Sequence, residues 1–138
     1  MEWISRLVNR WSSGLVEDEK WISGISEANV GSYFIEPEGL PTKQLAPGVE
    51  ARMAWGEKIM LSFVELRPGG VVPPHCHPHE QGGLCLEGAM EFTIGEETRT
   101  IRKGQGWMIP GGVVHSVRAL ESGCRALDIF SPPREEYK

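Results

Sequence analysis

Residues 73–88, "PPHCHPHEQGGLCLEG", contain His75, His77 and His79, three of the chain's 4 histidines. In an extended chain alternate side chains share a face, so His75 and His77 point one way while Cys76 points the other. Two imidazoles directed at one point can begin a metal site, which a third ligand from the next turn and a fourth from a distant strand would close. Gln81 and His115 are the candidates. Gln81 keeps the parity of His75 and His77, whereas Glu80 has the opposite parity. His79 shares the parity but lies between the other ligands, which suits a place at the pocket rim. His115 follows "IPGGVV", where Pro110 and two glycines can bend the backbone sharply. On spacing alone the cluster also fits a solvated histidine loop.

Outward from this stretch the chain reads as successive short strands. "GSYFIE", "VEARMAWG" and "KIMLSFVEL" precede an "RPGG" turn, and "VVPPHCHPHEQ", "GGLCLEG", "AMEFTIG", "TRTIRKG", "GWMIPGG", "VVHSVRA" and "CRALDIF" follow it. Every second residue is apolar in "LSFVEL" and "EFTIG", as a sheet with one wet face requires. "GEE" between "FTI" and "TRTI" reads as a hairpin turn. With 17 glycines and 10 prolines punctuating the strands, an all-β antiparallel sandwich or small barrel is predicted.

A chain of 138 residues is the size of one domain. The 14 Lys and Arg against 19 Asp and Glu leave no basic footprint for a nucleic-acid partner. Three cysteines at irregular spacing indicate neither a disulfide framework nor a zinc knuckle, and fit a reducing cytoplasm. No apolar run has the length of a membrane span, and the N-terminus lacks the apolar core of a signal peptide. In "EWISRLVNRW" the residues Trp3, Ile4, Leu7, Val8 and Trp11 share one helical face. Residues 1–40 are therefore expected to add a helix and a strand to a barrel spanning 41–138, packing on its exterior or on a partner copy.

The glycines and prolines around the histidines widen the pattern. Gly69, His75, His77, Gln81 and Gly88, then Gly104, Pro110, Gly112 and His115, resemble the two signature motifs of the cupin superfamily, in order and at the family's spacing. That resemblance implies an antiparallel jelly-roll barrel holding one divalent metal ion, with nickel, zinc, manganese, iron and copper all tolerated by such ligands. There are two departures: Gln81 stands where the superfamily usually has Glu, and Ala119 where the second motif commonly ends in Asn. An amide oxygen cancels none of the metal's charge, which leaves the ion a stronger Lewis acid than a carboxylate ligand would.

The C-terminal "LDIFSPPREEY" carries further chemistry. On a strand Asp128 and Phe130 share a face, and Arg134 follows a stiff Ser-Pro-Pro turn. From the residues alone, a strand-end cap at Asp128 and a solvated tail at Arg134 are the favoured reading. "HCHPHEQ" followed by "DIFSPPREEY" is similar to the KdgF family of small cupins, which open the ring of 4,5-unsaturated uronates released from pectin or alginate. The resemblance implies His75, His77, Gln81 and His115 as metal ligands, Asp128 as catalytic acid/base, Phe130 as a pocket wall and Arg134 as the clamp for the substrate carboxylate. It also implies a small acidic sugar as substrate and a homodimer, since small cupins commonly dimerise. Two alternatives remain open: a metal-dependent dioxygenase or polyketide-cyclase-like cupin, and a non-catalytic sugar-binding cupin.

Overall fold

The computed structural model describes residues 33–138. Eight strands follow in order: β1 (Thr42–Ala46), β2 (Val49–Trp55), β3 (Met60–Leu66), β4 (Val71–His75), β5 (Glu80–Ile94), β6 (Glu97–Arg102), β7 (Gly106–Ile109) and β8 (His115–Ser131). All pairings are antiparallel, in the order β1-β2-β3-β8-β5-β6, with β4 also on β8 and β7 also on β5. The predicted all-β antiparallel fold is the fold observed. No helix among the described residues is long and apolar enough to cross a membrane.

The local rules explain most boundaries. β3, and β2 as far as Met53, alternate buried and less buried residues, so Val49, Ala51, Met60, Val64 and Leu66 enter one core with Met90, Phe92 and Ile109. The "GEE" segment makes the predicted β5–β6 hairpin, with Ile94 opposite Glu97.

Three expectations differ. "GGLCLEG" and "AMEFTIG" are one strand, β5, and "VVHSVRA" and "CRALDIF" are one strand, β8. Each continues through a glycine, Gly88 and Gly123, and the β5–β8 register shifts beside Gly88. The glycines bend these strands and do not end them, which lets β8 pair with β4 early and with β3 late. β4 ends at His75, so His77 sits in the following loop, not on the strand. Tyr33–Glu36 are not strand, and Pro37–Gly39 form a single 3-10 turn with proline at its start. The helix expected in residues 3–11 lies outside the described residues.

Candidate metal centre

Two adjacent rows of inward residues cross β3, β8, β5 and β7 and lay the floor of the site. In one, Met60 faces Phe130, Phe130 faces Gln81, and Gln81 faces Ile109. In the next, Ser62 faces Asp128, Asp128 faces Gly83, and Gly83 faces Trp107. Gln81 and Asp128 are therefore diagonal neighbours, within reach of a long side chain.

The histidines arrive from two loops held together. The Gly112 N–H donates to the His77 carbonyl at 2.8 Å. Gly111 packs so closely on the Pro78 carbonyl that any Cβ would overlap it. This contact between the two motifs sets His115 beside His77, with ring centres 5.0 Å apart, and the His75 ring lies 4.3 Å from that of His115.

Each imidazole is oriented by a carbonyl. Nδ1 of His75 donates to Pro73 O at 2.9 Å, Nδ1 of His77 to His79 O at 3.0 Å, and Nδ1 of His115 to Val113 O at 2.8 Å. A carbonyl can only accept, so the proton of each neutral ring is on Nδ1 and the lone pair on Nε2. Burial depresses the His77 and His115 pKa values below the ordinary histidine value, and the Arg134 charge adds to this. Both rings are then neutral at neutral pH.

Bare Nε2 atoms in a buried pocket need a partner. Nε2 of His115 is buried without any hydrogen bond among the described residues. Nε2 of His77 lies 3.0 Å from Oε1 of Gln81, whose amide nitrogen is already committed to Asp128. Two acceptors thus face each other, an unfavourable contact unless a cation lies between them. A shared divalent cation would remove this repulsion by taking both atoms as ligands. His75, His77 and His115 also bring potential ligand atoms within 4.8 Å of one another. Three imidazole nitrogens and one amide oxygen fit a divalent cation of the first transition row.

Of the other candidates in the histidine stretch, Glu80 is exposed, and His79 orients His77 through its carbonyl. The three cysteines are free, Cys85 and Cys124 buried and Cys76 exposed.

Asp128 is partly buried beside this centre. Its Oδ1 accepts from Gln81 Nε2 at 2.9 Å and from Trp107 Nε1 at 3.0 Å. Burial pushes its carboxyl up to about 6, against the opposing pull of these two hydrogen bonds and of Arg134. A carboxyl near 6 can both take and give a proton close to neutrality. Trp107 reaches it only because Gly83 lies between them: a Cβ on Gly83 would lie far inside van der Waals contact with atoms of the indole. Sequence reasoning missed Trp107. The available signal was a glycine inside a strand, which marks a close approach.

Phe130 is buried, and its ring meets that of His77 edge-on. Arg134 is also buried, at 9 % exposure, so it is no solvated tail. Ser131–Pro132 is cis, and Arg134 and Tyr137 beyond it both line the pocket. Nε and Nη2 of Arg134 bond one Glu136 oxygen at 2.9 and 2.7 Å, and Nη1 donates to the Tyr137 hydroxyl at 3.0 Å. Tyr137 stacks under the guanidinium, 4.0 Å from ring centre to Cζ, and packs edge-on against Phe130. Lys43 fastens this tail by bonding the Glu136 carbonyl. The predicted carboxylate clamp is thus in the pocket with one of the chain's own carboxylates already on it. The cavity is partly open and about 50 Å³ in volume, room for a few water-sized groups, since about 10–15 Å³ of such space holds one water.

Residues 62–130 match the cupin domain family. A pectin degradation protein, KdgF from Dickeya dadantii (strain 3937), is 31% identical over 107 residues, covering 76% of this chain and 96% of that protein. The chain is a cupin. Among solved structures, KdgF from Halomonas sp. superposes with a TM-score of 0.71 at 30% identity, covering 78% of this cupin and 99% of that chain. An RmlC-like cupin from Shewanella frigidimarina matches the fold, with a TM-score of 0.73 at 21% identity over 78% of this chain and 97% of its own.

Proposed function

We propose that this cupin opens the ring of 4,5-unsaturated monouronates by a metal-dependent enol-to-keto isomerisation. The observation that carries the reading is Asp128: a carboxyl raised to about 6, tied to the amide of a candidate metal ligand, in one pocket with Arg134. The likeness to two KdgF proteins, one of them described as a pectin degradation protein, supports the substrate class.

An unsaturated uronate carries a C4=C5 double bond, a C6 carboxylate and a C1 hemiacetal. Ring opening turns C1 into an aldehyde as the C1–O5 bond breaks and leaves an enol at C5. When C4 gains a proton, C5 becomes a ketone. No atom is gained or lost, and the net change moves one proton from the anomeric hydroxyl to C4. The Asp128 carboxylate accepts that proton and returns one to C4. Gln81 and Trp107 keep its oxygen fixed while it does so. Arg134 provides a planar cation for the C6 carboxylate, with two of its five N–H donors uncommitted beyond its bonds to Glu136 and Tyr137. A divalent cation held by His75, His77, Gln81 and His115 would supply Lewis acidity for the developing enolate charge.

The test is incubation of the metal-loaded protein with pectin-derived and alginate-derived unsaturated monouronates. Loss of the conjugated ultraviolet absorbance and a keto-aldehyde product by NMR are expected, slowed by chelation.

One observation favours a second reading. The deep wall is apolar, with Val64, Val72, Met90, Phe92 and Val117 lining the cavity, which also suits an aromatic or enediol substrate of a metal-dependent dioxygenase. Oxygen consumption with such a substrate would favour it.

A further inference from the structure

Ser62 is 1 % exposed, and its Oγ is buried with no hydrogen-bond partner among the described residues. It lines the same cavity as Asp128, His115 and Gln81. The inward row of β3 otherwise consists of Met60, Val64 and Leu66, so an apolar residue would continue that row and Ser62 is its one polar interruption. A buried unsatisfied hydroxyl is a cost to folding that native proteins seldom carry without a use.

The register says what the use is. Ser62 lies directly opposite Asp128, and opposed residues of an antiparallel pair have Cβ atoms about 4.5–5.5 Å apart. Gln81 and Trp107 approach Asp128 from the β5 and β7 side, and both bond Oδ1. Among the described residues Oδ2 accepts no hydrogen bond, and Ser62 is the polar side chain on the β3 side. We infer that Ser62 is a substrate-positioning residue: its hydroxyl bonds a sugar hydroxyl that enters the cavity beside Asp128. This inference rests on the uronate reading above. The cavity of about 50 Å³ is lined by both Ser62 and Arg134, so a sugar hydroxyl at Ser62 and a carboxylate at Arg134 are held at two points of one pocket. A ring whose hydroxyl is held there presents its reacting edge to Asp128.

The experiment measures binding of D-galacturonate to the full-length, metal-loaded protein by calorimetry. This saturated hexuronate has the carboxylate and hydroxyls but no double bond to react. Ser62→Ala and Ser62→Cys are compared with wild type at equal metal content. Ala removes the hydroxyl, and Cys fills its place with a somewhat larger group that is a much weaker donor. About ten-fold weaker binding is expected in both, the worth of one hydrogen bond, with a melting temperature no lower than wild type for Ser62→Ala because an unsatisfied group has been removed. Equal affinity in all three proteins overturns the role of Ser62 while leaving the uronate reading intact. Weakening in Ala alone also overturns it, since packing would then be the cause. If wild type itself binds no galacturonate and does not act on unsaturated uronates, the uronate reading fails and the inference falls with it.

Discussion

Gln81 Nε2 donates to Asp128 Oδ1 across 2.9 Å while its own Oε1 faces His77 Nε2 at 3.0 Å. One amide thus joins the candidate metal centre to the candidate proton carrier, and both of its ends have defined jobs. A carboxylate could serve the first end and not the second.

Gln81→Glu should therefore separate metal binding from turnover. The new carboxylate gives the cation a charged ligand, so metal affinity should rise. It can no longer donate to Asp128 unless it is protonated, and it places a like charge beside that group. Turnover should fall by about 100-fold or more, the scale of a mis-set acid/base. Competition with a chromogenic chelator and initial rates on an unsaturated uronate read the two effects.

Asp128→Asn should exchange stability for activity. Asn keeps an oxygen for Gln81 and Trp107 and removes the charge. Asp128 is raised from 3.8 to about 6 on folding, so between those values the unfolded chain releases a proton that the folded protein retains. Wild-type stability then falls as pH rises through that window, and stays lower above it. In metal-free protein the variant should be more stable at pH 7–8 by on the order of 2–3 kcal/mol, at 1.36 kcal/mol per pKa unit. The gap should close below about pH 4. Thermal unfolding across pH in the presence of chelator measures it.

Gly83→Ala tests the reach of Trp107. The added methyl occupies the space of the indole, so the ring must move and its hydrogen bond to Asp128 must break. Overpacking of this kind costs about 1–3 kcal/mol. A lower denaturation midpoint is expected, together with altered tryptophan fluorescence.

Glu136→Gln tests the closed tail. The Glu136 carboxylate neutralises Arg134, and Arg134 in turn helps hold that carboxyl below its ordinary value, after a contribution from the residue's own backbone. An incoming carboxylate must compete with it. Replacing it by a neutral amide should tighten binding of a saturated uronate by roughly 3- to 10-fold, since a charged acceptor binds a guanidinium more strongly than a neutral one. Calorimetry with the metal-loaded variant measures the change.

The parts of this site legible in the sequence depend on short spacing. His75, His77 and Gln81 share parity, and Asp128 and Phe130 share a strand face, so local periodicity placed them even though β4 stops at His75. Their convergence with His115 was legible through the resemblance to two family motifs. Trp107, Ser62 and Tyr137 were not legible. Trp107 and Ser62 matter through the β3–β8–β5–β7 register, a long-range property that no local window contains. Tyr137 and Glu136 matter through their contacts with the Arg134 guanidinium, which no sequence pattern announced. Gly88 and Gly123 were misread for a related reason: a glycine that ends a strand and one that bends it look alike until the partner strand is known.

The central claim is that a metal-held pocket uses Asp128 to move one proton on an unsaturated uronate. It is tested most directly by following the conjugated ultraviolet absorbance of that substrate with wild type and Asp128→Asn, both at full and equal metal occupancy. Rapid decay with wild type and a rate lower by about 100- to 10,000-fold with the variant is predicted. Absence of decay with wild type on both the pectin-derived and alginate-derived substrates, or equal decay with both proteins, would contradict it.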